Sequence, residues 1–246
     1  LTRSRGLGDV YKRQVIVAPR ILLAEQLCEE FLEVIDTTHT HVMHVHSGKT
    51  RYYGTTKPDK IHLFANTART AGENCIIFTT YHSLHRLVEA DIEVNNIYFD
   101  EAHNSVAKNF HIATKHFATL DHIRCYFFTA TPKHSLTPKK AGMNDFDVYG
   151  KVICQVPAPE LVDGGYILAP KVNVRQLPIS KDRNNWQRDA DYLFETIKED
   201  KKDQVLVCAR TTKQIINVIQ NTDFVESIKK IGYSWLVITS KTGAII

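Results

Sequence analysis

The sequence predicts an α/β fold built of parallel-sheet units in tandem, and three observations predict it. From Gln14 onward, short runs rich in Val, Ile and Phe alternate with longer segments of helical period, the pattern of strands kept parallel by helical crossovers. The same alternation restarts after Pro170. Between the two, residues 157–170 hold Gly164-Gly165 and three prolines, a composition suited to a boundary.

Each element can be placed in order. Val15-Ile16-Val17-Ala18 reads as a buried strand ended by Pro19, and Ile21–Val34 as a helix carrying Leu22, Leu23, Gln26, Leu27 and Phe31 at helical spacing. Strands follow at 41–46, 75–79, 97–99 and 125–128, with helices near 60–71, 81–89, 105–116 and 160–163. After the boundary come a strand at 172–177, an amphipathic helix at 186–199, the apolar run 205–208, a helix around 213–220 and a strand at 235–238. The pattern predicts a first domain over 15–163, a linker over 164–175 and a second, incomplete domain over 176–246. No repeat of 20 to 50 residues and no low-complexity segment interrupts it.

Composition narrows the class. With 43% hydrophobic and 24% charged residues the chain is neither disordered nor collagen-like. No apolar run approaches the roughly 20 residues that cross a bilayer, and no signal-peptide pattern opens the chain, so a soluble, cytoplasmic protein without a membrane partner is expected. Five scattered cysteines with no C-x-x-C pair read as free thiols of a reducing compartment. The net charge of +4 is concentrated in residues 1–14, where Arg3, Arg5, Lys12 and Arg13 face only Asp9; the remainder carries +1. That opening segment resembles a tail translated from an adapter sequence and is left out of the predicted fold, a basic arm touching phosphates being the alternative. With the first Met at Met43 and a close on Ala244-Ile245-Ile246, both ends are expected to be cut.

The chemistry concentrates at Asp100-Glu101-Ala102-His103, directly behind the apolar strand Ile97-Tyr98-Phe99, where parallel strands face their ligand crevice. A carboxylate there suits Mg²⁺, held through water because that ion keeps much of its hydration shell; Asp100 is the candidate. Glu101 then suits the base that orients and deprotonates a water aligned on a γ-phosphate. About one βα unit later, Thr129-Ala130-Thr131 places two hydroxyls at a strand end, within reach of His103 and the acidic loop.

With both motifs in view the chain resembles the superfamily II nucleic-acid helicases and translocases, specifically DEAH-type enzymes nearer to phage and restriction-enzyme motors. Ala18-Pro19-Arg20, with Gln26 a helical stretch on, looks like motif Ia, and Phe78-Thr79-Thr80-Tyr81-His82 like the Thr-Thr-Tyr element. Residues 100–103 are similar to motif II, 129–131 to motif III, and Val205 to Thr212, with Ala209-Arg210-Thr211, to motif IV. The resemblance implies tandem RecA-like domains, the first missing its N-terminal strand and phosphate loop, the second its last third. It implies ATP and Mg²⁺ as cofactors, Asp100, Glu101 and His103 as catalytic residues, and Thr129, Ala130 and Thr131 as the coupling element. Arg20, Thr79, Thr80 and Arg210 would contact the nucleic-acid backbone, with DNA favoured over RNA and no base specificity. A bacterial cell or a virus-infected host is the implied setting.

Two features depart from that pattern. No G-x-x-x-x-G-K-[ST] loop precedes Val15, and Ser47-Gly48-Lys49-Thr50 is a decoy, since Met43 stands five positions before Gly48 and the segment follows motif Ia. The late arginine-bearing motif of the second domain is also missing, so these residues alone are expected to be inactive. Among twelve histidines, His44 and His46 share a strand face and could ligate a metal, although a partly exposed strand explains them as well. His82 and His85 sit one turn apart, suited to packing or phosphate contact; Tyr126, Phe127 and Phe128 read as core rather than as a base-stacking platform.

The predicted activity is therefore ATP-dependent movement on, or unwinding of, nucleic acid. The alternatives are a restriction-system subunit that pumps DNA without separating strands, a non-catalytic nucleic-acid-binding module, and a hydrolase using Asp100, Glu101 and His103 as direct metal ligands.

Overall fold

The structure is a computed structural model that describes residues 12–35, 37–137, 139–176, 185–200 and 204–239. It divides into two compact units that meet between Glu160 and Leu161. The first is organised by one sheet, all of whose pairings are parallel: β1 (Arg13–Ala18), β2 (Thr40–Val45), β3 (Tyr53–Gly54), β4 (Asn74–Thr80), β5 (Asn96–Phe99) and β6 (Arg124–Phe127), in the order β3-β2-β4-β1-β5-β6. The strand Val15–Ala18 is central because every one of its residues is apolar. β1 pairs with β4 from Arg13↔Cys75 to Ala18↔Thr80 and with β5 from Gln14↔Asn96 to Val17↔Phe99.

Alternation along these strands builds two cores. Val15, Val17, Met43, Val45, Ile77, Ile97 and Phe99 point to one face, under α2 (Pro58–Ala71), α3 (His85–Glu89) and α4 (Lys108–Ala118). Ile16, Ile76 and Phe78 point to the other, where α1 (Ile21–Val34) brings Cys28, Leu27 and Phe31. Covering both faces is what lets the inner strands be near-continuous apolar runs. The stripe that α1 buries fully is Ala24 and Cys28, whereas Leu22 is turned to solvent. Pro58 opens α2 with a ring already set for helix, and Gly72 closes it in the left-handed region (φ 72°), its amide donating to Arg69 O at 3.1 Å while Glu73 N donates to Ala68 O at 2.9 Å.

Three corrections apply to the predicted elements. Residues 13 and 14 belong to the fold: Arg13 is buried in β1, with its guanidinium 2.7 Å from Glu93 and its amide donating to Asn95 Oδ1 at 2.8 Å. The predicted helix at 81–89 begins only at His85, because Tyr81 N donates to Ala18 O and extends the sheet's hydrogen bonding. Likewise α4 starts at Lys108, after a separate 3₁₀ turn over Ala102–Asn104. The sequence also gave no sign of β3 or of α5 (Phe146–Tyr149), both too short to show a period.

The second unit is helical among its described residues. Beyond α6 (Ala158–Asp163), which spans the boundary, it holds α7 (Trp186–Asp200), α8 (Thr212–Gln220) and α9 (Phe224–Lys230), packed through Ala190, Ile197, Phe224 and Ile228. Here the predicted sheet fails. Residues 172–176, 205–208 and 235–238 are not strands, and Leu177 lies outside the described residues. Val174, Leu206 and Leu236 are more than four-fifths exposed, because an apolar run becomes a strand only when neighbours take its backbone hydrogen bonds. No described helix is long and apolar enough to cross a membrane.

Candidate functional site

The carboxyl ends of β4, β1, β5 and β6 lie side by side, and the first unit's candidate residues stand there. Beyond Phe99 the chain keeps one more sheet bond, Asp100 N to Val17 O at 2.9 Å. Glu101 then turns into the left-handed region (φ 46°, ψ 51°), a conformation that a side-chain-bearing residue adopts at a cost. The reversal sends Glu101 outward, with about half its side chain exposed, and drives Ala102 into the core with its amide on Phe128 O at 2.8 Å. Ala102 has no exposed surface, so its small size is what the turn accommodates.

Asp100 is half-buried, and burial lifts its carboxyl above the usual range. A backbone hydrogen bond at Glu101 opposes that rise, and the neighbouring Glu101 charge adds to it. Its backbone carbonyl accepts the Tyr81 hydroxyl at 2.7 Å. His103 is four-fifths buried and gathers three partners at one nitrogen: Nδ1 lies 3.0 Å from Thr129 Oγ1, 3.2 Å from Thr131 Oγ1 and 3.3 Å from Glu101 Oε2. Hydroxyls donate or accept, so the threonines suit Nδ1 with or without its proton, whereas Glu101 requires the proton to be there. His103 thereby ties the acidic residue to the β6 loop through one ring nitrogen. Thr131 N in turn donates to Thr129 Oγ1 at 3.2 Å, which closes the loop around the exposed Ala130.

Several supporting residues had no signal in the sequence. Ser105 donates to Ala102 O at 2.6 Å and lies 3.0 Å from the Tyr149 hydroxyl, while Asn104 Nδ2 donates to Glu101 O at 2.8 Å. Tyr81, fully buried and with its phenol pushed up by burial, stood inside the Thr-Thr-Tyr element, where a hydroxyl next to two others was the available cue.

The other predicted residues divide. Arg20 caps α1 through its extended backbone (φ −143°, ψ 157°), is exposed, and forms no ion pair among the described residues. Thr79 is a correction: it has no exposed surface and its hydroxyl donates inward to Val45 O at 2.8 Å, so it ties β4 to β2 and offers nothing outward to a phosphate. Thr80, at 4% exposure, is nearly as closed. Arg210 is exposed in the second unit, just before Thr211, whose hydroxyl accepts from Gln214 N and caps α8. The segment 47–50 leads into β3 rather than a helix, and Gly48 is there because a Cβ would stand 2.7 Å from Ile21. A phosphate cradle needs a helix N-terminus at that point. His44 and His46 face each other, Nδ1 to Nε2 at 2.9 Å, and no described cluster of three or more ligand residues could hold a metal. His82 packs edge-on to Phe110 at 4.7 Å; Phe127 stacks on Phe99 at 4.7 Å and Tyr126 on Tyr98 at 5.3 Å, whereas Phe128 is exposed.

Comparison with known proteins gives these features a context. A family model described as Type III restriction enzyme, res subunit, matches residues 7–134, just over half of the chain. Similar solved structures include a nuclease-deletion mutant of the Type ISP restriction-modification enzyme LlaGI in complex with a DNA substrate mimic, 21% identical over 63% of this chain with a TM-score of 0.52. Another is the Pyrococcus furiosus Hef helicase domain, 16% identical over 95% of this chain with a TM-score of 0.44. The chain spans 14% of the first protein's length and 46% of the second's. No curated protein matches it. The six-stranded parallel sheet with helices on both faces is a RecA-like α/β fold.

Proposed function

The chain belongs to the type III restriction enzyme res-subunit family, which is superfamily II helicase-like, and from that membership we propose that it serves an ATP-driven nucleic-acid translocase or helicase. One observation carries the reading. The Asp100–His103 turn stands at the carboxyl end of β5, and His103 joins it to Thr129 and Thr131 at the end of β6.

The residues present fit a hydrated Mg²⁺ on a nucleotide. Asp100 is a half-buried strand-end carboxylate whose raised pKa a cation would relieve, and it would hold the ion through water. Mg²⁺-ATP would supply the γ-phosphate to be cleaved and the charge that steadies the leaving group. Glu101, aimed outward by its left-handed backbone, orients a water and takes its proton on the carboxylate. His103 links that neighbourhood to the β6 loop, because the same Nδ1 reaches both. Arg20 grips a strand phosphate, and Arg210 does so from the second unit, in contacts that carry no sequence information. The family's restriction-enzyme description supports DNA over RNA as the partner; a restriction-system translocase that pumps duplex without separating it is the alternative within the enzyme class.

Two measurements test the reading. In a protein of this family that joins these residues to a phosphate-cradling loop, Glu101→Gln is expected to lower ATP turnover at least about a hundredfold while nucleotide binding persists. Wild-type turnover would remove Glu101 from the role of base. On the chain itself, DNA affinity is expected to fall linearly with salt on logarithmic axes, and Arg20→Ala to reduce that slope by about one. Salt-sensitive DNA binding with no ATP turnover in the longer protein would instead establish a non-catalytic module.

A further inference from the structure

The turn that carries Glu101 is held by a line of hydrogen bonds that starts outside it. Ala102 is pinned at its amide and at its carbonyl: the amide donates to Phe128 O at 2.8 Å, and the carbonyl accepts from Ser105 N at 3.0 Å and from Ser105 Oγ at 2.6 Å. The direction of the next bond follows. A serine hydroxyl has one proton, and Ser105, which has no exposed surface, gives it to Ala102 O. Its oxygen is left to accept, and the Tyr149 hydroxyl, 3.0 Å away, is the donor. Burial raises the pKa of the Tyr149 phenol, which keeps that proton in place. The Tyr149 oxygen in turn accepts from His111 Nδ1 at 3.4 Å.

Tyr149 is placed to keep this line still. Its ring meets Phe127 of β6 edge-on, with centroids 4.9 Å apart and 61° between the planes, and lies 6.3 Å from the His111 ring of α4. It therefore joins β6, α4 and the turn behind β5, while residues 150–156 that follow it are all exposed. Glu101 needs such a hold. Its left-handed backbone has a cost of the same order as one hydrogen bond, so the bonds of the turn decide whether that conformation persists. We propose that Tyr149 is a positioning residue for Glu101, acting through Ser105 and the Ala102 carbonyl to keep the carboxylate aimed outward. The hold on the backbone stands by itself; its catalytic consequence rests on the reading of Glu101 as the base.

Two variants cut the line and keep the packing. Tyr149→Phe removes the hydroxyl and leaves the ring on Phe127, and Ser105→Ala removes the link from that hydroxyl to Ala102. In the 246-residue chain, amide exchange at Ala102, Asn104 and Ser105 is expected to quicken about fivefold in Tyr149→Phe while the β4 amides keep their rates. Backbone scalar couplings are expected to show φ at Glu101 leaving the left-handed region in part. The double variant is expected to match Ser105→Ala alone, as residues acting in one line do. Unchanged exchange and couplings at the turn, a rise in exchange shared by the whole sheet, or effects that add in the double variant would each overturn the proposal. Turnover is read in a protein of this family that joins these residues to a phosphate-cradling loop, where Tyr149→Phe is expected to lower kcat for ATP about fivefold with KM unchanged. If Glu101→Gln abolishes turnover there, an unchanged kcat in Tyr149→Phe would also overturn the proposal. If Glu101→Gln keeps wild-type turnover, the base reading falls, and exchange and couplings alone decide whether Tyr149 holds the turn.

Discussion

Two apolar runs of equal length have opposite fates. Val15-Ile16-Val17-Ala18 lies at the centre of the sheet, each residue at most 2% exposed, while Val205-Leu206-Val207-Cys208 is a non-helical stretch with Leu206 at 89%. Their compositions are nearly the same, so composition does not explain the difference. What separates them is company: β1 has strands hydrogen-bonded on both sides and helices over both faces, and 205–208 has neither among the described residues. An apolar run is a capacity for strand formation that neighbours realise.

The contrast can be broken first where burial is deepest. Phe99→Ala, which empties a fully buried site in β5, is expected to cost about 3–5 kcal/mol in denaturant unfolding, whereas Leu206→Ala stays within about 0.5 kcal/mol. Similar losses at both positions would show that 205–208 is packed as well as the core of the first unit's sheet. Acid gives the next largest effect. Burial, and then the His46 charge, hold the His44 pKa down to about 4 from 6.5, so the folded chain keeps His44 neutral where the unfolded chain binds a proton. Stability is therefore expected to decline as pH falls from 6.5 towards 4, by about 3 kcal/mol, and then to level off. Replacing His44 with Phe should flatten that decline.

Smaller effects sharpen the comparison within each unit. Thr211→Ala, which removes the cap of α8, is expected to lower helix stability in the second unit by about 1 kcal/mol, read as faster amide exchange confined to α8. Tyr81→Phe, which removes the bond to Asp100 O, is expected to cost about 1 kcal/mol and to loosen exchange at the β5 end without touching α8. Loss of protection in both units from either change would show that the two are coupled.

These same contrasts explain what was legible in the sequence. β1, α1, β4 and β5 were readable because their signal is local: an apolar run, a helical stripe, a proline that ends a strand. The strands predicted at 172–177 and 235–238 used the same local signal and failed, since pairing depends on partners that no window of sequence contains. At the site, Asp100 to Thr131 could be anticipated from spacing, including the reach of the two threonines to His103. The bond from Tyr81 spans 19 positions and the contact of Ser105 with Tyr149 spans 44, distances over which nothing in the sequence pairs one residue with the other. Thr79 misled for a related reason, because a hydroxyl at a strand end looks outward until the neighbouring strand shows that it is covered.

The left-handed backbone at Glu101 sets folding and chemistry against each other at a single position. Glycine occupies that conformation freely, and Glu101→Gly is expected to relieve strain on the order of 1 kcal/mol. A selection for thermal robustness alone would thus favour exchanging this residue, and would discard the carboxylate that we propose as the base.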